Sequence, residues 1–509
     1  MEKIKSFVEK YKWIIVSTFI WGILAHGYMY LNKLSFLDDV VSMESVGATY
    51  TSGRWLLGIL DKVMKIALGG SYSTPLLIGT FTLIIAVVIN ILLVKIFDIT
   101  NKYCCWVMCG IVVLFPSMTA LYSFMFTAGY YMISILLSVL AVYVLLNCKN
   151  VVYGELLGIS CICLAMGIYQ AYVGFSILCF LFVFILKIID DDQASYKELL
   201  KTGISYAVCI AGGALFYLVI NKIALYLTAS QMTSYRGMDQ MYSKQVFHLD
   251  FKFLLQTLWA KYDNMLYYNV WIENTLYIYR CVLIVVIAVI LFKGIQLIIH
   301  KKLINACLMI LALICVPVAL NPFALCNVDM VHYLMLFPKC IIFVFFIALV
   351  SRSDFSNVKV KKTGIVLGIV LILYTNIYYT YYANRCYLGA EFNRQETISW
   401  MTTLITQIKS IDGFDENMRI AYLGGAEDIT FYRSKVALSK EERFYGGDLR
   451  RDYVWKDYME KWCGFNMTEV DGDTYNELNN MECVNQMPNY PADGSIEVVG
   501  DIVVVKITK

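Results

Sequence analysis

Charge is scarce in this chain. Only 16% of its 509 residues are Asp, Glu, Lys or Arg, 59% are hydrophobic, and the mean hydropathy is +0.63. That balance belongs to a membrane protein rather than a soluble domain. The net charge is only +3. The excess cations lie in short loops between apolar runs, so a nucleic-acid-binding face is excluded. Proline is scarce too, with seven in all, and no internal repeat is visible. A lipid or sugar transporter built from inverted repeats and broken spans would show both, which argues against that reading. No CxxC or Cys/His cluster has zinc spacing, so no metal is expected. Gly424-Gly425 lacks the GxGxxG spacing of a nucleotide fingerprint. The sixteen Cys are no disulfide framework, because about twelve lie in or beside apolar runs, where Cys behaves as a small hydrophobe. Of Cys326, Cys386, Cys463 and Cys483, which fall outside the cytoplasm on the topology below, Cys463 and Cys483 form the one candidate bridge.

What is abundant is long apolar runs. About eleven reach the roughly 20-residue length of a membrane span. They lie near 13–31, 74–96, 103–119, 127–147, 151–168, 170–188, 203–227, 276–298, 303–320, 330–350 and 363–383. The first run follows Lys3, Lys5, Lys10 and Lys12 but is long for a signal peptide and has no small-residue cleavage site, so it reads as a retained span. Lys95, Lys102, Lys149, Lys187, Lys197, Lys201, Lys293, Lys301, Lys302, Arg352, Lys359, Lys361 and Lys362 all fall on one side of the membrane. The opposite turns near Ser117, Tyr169 and Pro322 carry no Lys or Arg. The positive-inside rule then puts the N-terminus in the cytoplasm and the C-terminus outside. The fold class expected is an all-α polytopic membrane protein with a small extracytoplasmic α/β C-terminal domain. A membrane domain occupies 1–384, with outer loops 32–73 and 229–275, and the second domain 385–509.

Both outer loops hold an amphipathic pattern. Trp55, Leu56, Ile59, Leu60, Val63 and Ile66 share one helical face, with Arg54, Asp61, Lys62 and Lys65 opposite. Phe251, Leu254, Leu255, Leu258 and Trp259 repeat the spacing. Helices of this kind lie in the membrane interface, either framing a mouth open to lipid or covering the bundle. In the tail, residues 394–411 read as a helix, Arg419–Leu423 as a strand, and the last residues, about 497–508, as a strand or hairpin.

The residues with chemical potential gather on the outer side. Asp38 and Asp39 follow the first span. An acid pair there suits proton abstraction from a hydroxyl, and reads equally as a solvated turn or a helix cap. Arg54, at the start of an amphipathic helix, suits an anion or snorkels over headgroups. Tyr169 and Gln170, in Gly167-Ile168-Tyr169-Gln170, occupy a tight turn where they can meet a sugar, although Tyr also belongs to aromatic belts. His332 and Lys339 are seven residues apart on the tenth span, one face of an α-helix, and a cation at that depth needs a partner. Arg236 and Asp239 form a third outer cluster, also explicable as a solvated loop.

An acid pair after the first span, a Gly-Arg some fourteen residues on and a Gly-Ile-Tyr-Gln turn after the fifth span resemble, in that order, the type-II membrane glucosyltransferases of bacterial surface polysaccharides. The resemblance covers roughly 30–340. Val40 and Trp55 stand where that pattern often carries an aromatic and a Pro. The resemblance implies a GT-C architecture in the bacterial plasma membrane and a donor sugar, usually glucose, linked to polyprenyl phosphate. A separate glucosyltransferase makes that donor and a flippase turns it outward. The acceptor is then a cell-surface polysaccharide, and no cofactor is needed. It also implies roles: Asp38 or Asp39 as base, with Arg54, Lys339 and His332 on the leaving phosphate. Tyr169, Gln170, Arg236 and Asp239 are left for the sugar and acceptor. A polysaccharide polymerase using lipid-linked oligosaccharides is the competing enzyme reading, but it would favour Arg-rich outer loops, and the 229–275 loop has only Arg236.

Overall fold

Where water is absent, backbone N–H and C=O groups must satisfy one another, so long apolar runs fold as helices. The computed structural model describes residues 2–190, 194–234, 273–320, 332–352 and 358–508, apart from 428, 431, 437, 439–442 and 444–446. In chain order the helices are α1 (Glu2–Leu31), α2 (Leu37–Val41), α3 (Trp55–Leu68), α4 (Pro75–Ile96), α5 (Lys102–Leu114), α6 (Pro116–Tyr122), α7 (Met125–Asn147), α8 (Val151–Ile168), α9 (Val173–Asp190) and α10 (Tyr196–Leu227). Then come α11 (Glu273–Ile299), α12 (Leu303–Leu320), α13 (Cys340–Arg352) and α14 (Val358–Ser410). The tail adds β1 (Arg419–Leu423), α15 (Asp452–Cys463), α16 (Gly472–Asn480), α17 (Glu482–Gln486), β2 (Ile496–Val499) and β3 (Ile502–Lys506). Among the described residues ten helices are long and apolar enough to cross a membrane, or eleven if the bent pair α5–α6 is one span. The chain is a polytopic all-α membrane protein with a small α/β portion.

Three expected spans take a different form. The third breaks by 43° between α5 and α6. Pro116 lacks an N–H and drives Phe115 to an extended ψ of 134°. The tenth begins as a 3-10 turn, Tyr333–Lys339, containing Pro338, before α13. The eleventh does not end near 383: α14 runs unbroken into the helix expected separately at 394–411. Hydropathy falls there, but no Pro interrupts the run, and helicity follows the backbone rather than the hydropathy.

By its internal packing the chain separates into two units, Met1–Lys33 with Glu44–Asn384, and Leu34–Met43 with Arg385–Lys509. In the first, α7 packs on α8 and α4, α1 on α4 and α5, α10 on α8, and α9 on α12. Polar side chains staple these helices. Asn90 Nδ2 donates to Thr18 Oγ1 at 2.9 Å, Asn376 Nδ2 to the Val107 carbonyl at 2.9 Å, and Ser17 Oγ to that of Trp106 at 2.6 Å. The Tyr122 hydroxyl joins those of Tyr30 (2.7 Å) and Thr82 (2.6 Å). With lipid as apolar as the side chains, such bonds and close backbone approach hold helices together. Gly110 allows one such approach, since a Cβ there would lie 2.3 Å from Asn376 Nδ2 and 2.8 Å from Trp21 Cδ1.

In the second unit the sheet order is β1-β3-β2, with β1 parallel and β2 antiparallel to β3. The strands fall where the sequence placed them. Ala421, Leu423, Ile502 and Val504 pack with Leu478, Val484 and Met487 on one face. Buried Lys506 donates to the carbonyls of Val484, Asn485 and Met487 around the end of α17. Cys463 and Cys483 are free thiols, so the candidate bridge is not formed.

Gly110→Val is expected to lower the melting temperature of the detergent-purified protein, by roughly 1–3 kcal/mol of overpacking. Gly27→Ala, where the nearest atom to a Cβ is 3.5 Å away, should leave it unchanged. Equal melting of the two variants would contradict the close helix approach.

Candidate active site

Two of the sequence motifs meet in the first unit. A 3-10 turn, Tyr50–Ser52, ends at Gly53 with φ 69° and ψ 16°, and Arg54 then takes the N-cap position of α3. Gly53 is required twice. Its φ is left-handed, and a Cβ would lie 2.6 Å from Tyr217 Oη and 2.8 Å from Gln170 Nε2. Gln170 Nε2 donates to the Ser52 carbonyl (2.8 Å) and to Tyr217 Oη (3.0 Å), and that hydroxyl donates to the Gly53 carbonyl (3.0 Å). Gly167 returns the arrangement: a Cβ there would lie 2.6 Å from Trp55 Cε2. The Gly-Arg-Trp and Gly-Ile-Tyr-Gln motifs therefore interlock, each glycine making room for a side chain of the other.

The interlock fixes the Arg54 guanidinium over two phenol rings, 5.1 Å from the centroid of Tyr169 and 5.9 Å from that of Tyr131. Those rings stack on each other at 4.3 Å. A guanidinium over such faces is attracted electrostatically to the ring quadrupoles. Arg54 Nε, Trp55 Nε1 and Tyr172 Oη are buried with no hydrogen-bond partner among the described residues. Native interiors leave few such atoms unpaired; Arg54 and Trp55 are neighbours in sequence, and the Tyr172 ring lies 4.9 Å from that of Tyr169, which Arg54 covers. Gln170, by contrast, has both amide hydrogens engaged, so only its Oε1 is left for a ligand.

The aromatic wall continues from Tyr169 to Tyr172 (4.9 Å), then to Phe337 (6.4 Å) in the 3-10 turn that ends at Lys339. His332 caps that turn, its Nδ1 accepting from Leu334 N–H at 3.3 Å, and its ring meets Phe124 edge-on at 5.1 Å. Lys339 is 4% exposed and lies 5.4 Å from the Tyr279 ring centroid. The expectation that His332 and Lys339 share a face is corrected here. Seven residues make two turns of an α-helix but two and a third of a 3-10 helix, so the two side chains diverge.

In α3, Trp55, Leu57 and Gly58 are buried, while Ile59, Val63 and Ile66 of the apolar stripe stay exposed and free to meet lipid. Arg236, Asp239 and the pattern at 251–259 lie outside the described residues.

The acid pair is built in the second unit. Phe36 is the N-cap of α2, and Asp38 and Asp39 are in its first turn, where free N–H groups favour carboxylates. Neither is the cap. Successive helical residues diverge by about 100°, and the pair is split accordingly: Asp38 is exposed and Asp39 fully buried. The two carboxylates thus have unlike surroundings.

The sequence profile of one family, glucosyl transferase GtrII, matches residues 27–342. The chain belongs to that family. No curated protein and no solved structure gives a significant match. The matched stretch spans the acid pair, Arg54, Gln170 and Lys339, and ends before the tail. As a GtrII glucosyl transferase, the protein is a glycosyltransferase that moves a sugar from a donor to an acceptor. Sequence reasoning missed Tyr131 and Tyr217. Tyr217 and Asn221, both buried and one helical turn apart on apolar α10, were the available signal.

The interlock predicts a negative coupling. Gly167→Ala alone should destabilise the protein, because its methyl group meets the Trp55 indole. In a Trp55→Leu background the same change should cost little. Melting temperatures of the four proteins test this, and additive effects would contradict the contact.

Proposed function

We propose that the protein transfers glucose from a polyprenyl-phosphate donor to a cell-surface polysaccharide, on the outer face of the bacterial plasma membrane, as a GT-C-type enzyme. In this reading the N-terminus is cytoplasmic and the C-terminus outside, which the loop cations support. The observation that carries the reading is the Arg54 guanidinium, fixed on the Tyr131–Tyr169 stack with Nε unpartnered, in a membrane protein of the GtrII family. A lipid-linked donor presents a phosphate at the membrane surface, and a guanidinium held in place with its Nε–H unpartnered suits it.

In the proposed reaction, Asp39 or Asp38 accepts the proton of an acceptor hydroxyl. The hydroxyl oxygen bonds to the anomeric carbon as the bond from that carbon to the phosphate oxygen breaks. Polyprenyl phosphate leaves with the electron pair. Arg54, supported by Lys339 and His332, compensates the phosphate charge, so no metal need be invoked. Tyr169, Arg236 and Asp239 are proposed for sugar and acceptor contacts, and Gln170 for Arg54 placement with its Oε1 open to substrate. A flippase and a donor-synthesising glucosyltransferase are the proposed partners.

Incubation with polyprenyl-phosphate glucose and purified cell-surface glycan tests the proposal. Asp38→Asn and Asp39→Asn are compared with wild type, and loss of the base should cost about 10²–10⁴-fold in rate. Near-wild-type transfer by both variants would remove the acid pair from catalysis. Arg54→Lys keeps the charge but loses the planar fork, so the apparent donor affinity should fall more than that for acceptor. Unchanged donor kinetics would remove Arg54. Protease added to intact protoplasts should trim the chain after about residue 385, and a protected tail would overturn the orientation.

A further inference from the structure

The tail lies outside the matched family region, and its contacts within the second unit bear on the acid pair. With five residues, α2 is too short to be stable alone. Lys461 of α15 donates from Nζ to the Val40 carbonyl at 2.9 Å and to the Val41 carbonyl at 3.1 Å, across 421 and 420 residues of sequence. These are the last carbonyls of α2, which lack helical partners and carry the negative end of its dipole. Asp457, one turn earlier, holds the same ammonium at 3.1 Å. The other end of α2 rests on Gly447, whose φ is +61°. A Cβ there would lie 2.9 Å from Leu37 Cγ and 3.4 Å from Phe36 Cδ2.

Both supports are themselves anchored. Next to Gly447, Asp448 accepts from Arg433 Nη2 (2.5 Å) and from Arg450 Nε (3.3 Å). Arg450, 1% exposed, donates from Nη1 to the Ile429 carbonyl at 2.8 Å. On α15, Trp455 packs against Trp400 (5.4 Å) and Tyr422 of β1 (4.6 Å). The helix that carries Asp38 and Asp39 is thus gripped at its first residue and at its last carbonyls by groups fixed to the tail's core.

We propose that the tail is part of the acceptor-activating machinery, with Lys461 and Gly447 as positioning residues that aim the acid pair through α2. The proposal rests on the reading of that pair as the general base. The grip leaves the acids between two fixed points, so a lost support turns or slides α2 and displaces a carboxylate by a fraction of its own length. Displacements near 1 Å cost about a hundredfold in rate.

The test uses full-length protein in membranes, with Lys461→Met, Lys461→Arg and Gly447→Ala. Transfer from polyprenyl-phosphate glucose is measured at saturating and varied donor. Lys461→Met should lower kcat about ten- to hundredfold with donor KM unchanged. Lys461→Arg, which can still reach both carbonyls, should recover most of it. Gly447→Ala, acting at the other end of α2, should reproduce the kcat loss. In an Asp39→Asn or Asp38→Asn background, whichever is inactive, Lys461→Met should lower residual transfer no further. Wild-type kcat for Lys461→Met would overturn the proposal. So would a fall in melting temperature and protein level, shared by the Met and Arg variants, that accounts for the lost transfer. Failure of the base reading is seen separately, as full activity of both Asp→Asn variants.

Discussion

Carbonyl oxygens at the ends of helices and in tight turns are the constraint on which this structure depends. Inside an apolar bundle they have no water to bond, and polar side chains reach several of them. Gln170 reaches Ser52 and Tyr217 reaches Gly53. The His26 ring reaches Val113 and Arg352 reaches Phe97 at 2.5 Å. Outside the spans the rule recurs, with Lys461 on Val40 and Val41 and Lys506 on the end of α17. Apart from those of Lys506, these contacts join segments far apart in sequence, so satisfying the backbone and assembling the fold go together. The residues around Arg54 are placed by this requirement.

Much of this was legible in the sequence. Apolar runs of span length located the helices, because length and hydropathy decide what crosses a membrane. Gly53 and Gly167 were visible as glycines beside polar residues, and both turn out to be contact points. Their mutual fit was not visible, because which turns become neighbours depends on how helices pack, and nothing local records that. Tyr217 and Tyr131 were hidden for a different reason: in apolar segments Tyr reads as belt or core. The break at Pro116 and the 3-10 turn before Lys339 were written in their prolines, yet hydropathy averages over such residues. Hydropathy misled again in α14, where the polar stretch after residue 384 reads as a boundary and the helix continues.

The acid pair shows the limit of motif reading. Two adjacent aspartates look like a matched pair, but helical geometry sends them in different directions, one exposed and one buried. Adjacency in sequence fixed their common helix and nothing about their environments. Lys461 gave no signal at all, since a lysine on a polar amphipathic helix is ordinarily solvated.

The excursion of Leu34–Met43 into the second unit also has a consequence for biosynthesis. This segment is made before α15, which follows more than 400 residues later, with most of the spans translated in between. At about 5–20 residues per second, the interval is on the order of 20–80 s. Throughout it, the short helix bearing both acids lacks the groups that grip it. The nascent chain can insert and pack its membrane helices during that time, but this part of the molecule acquires its final form only once α15 has folded.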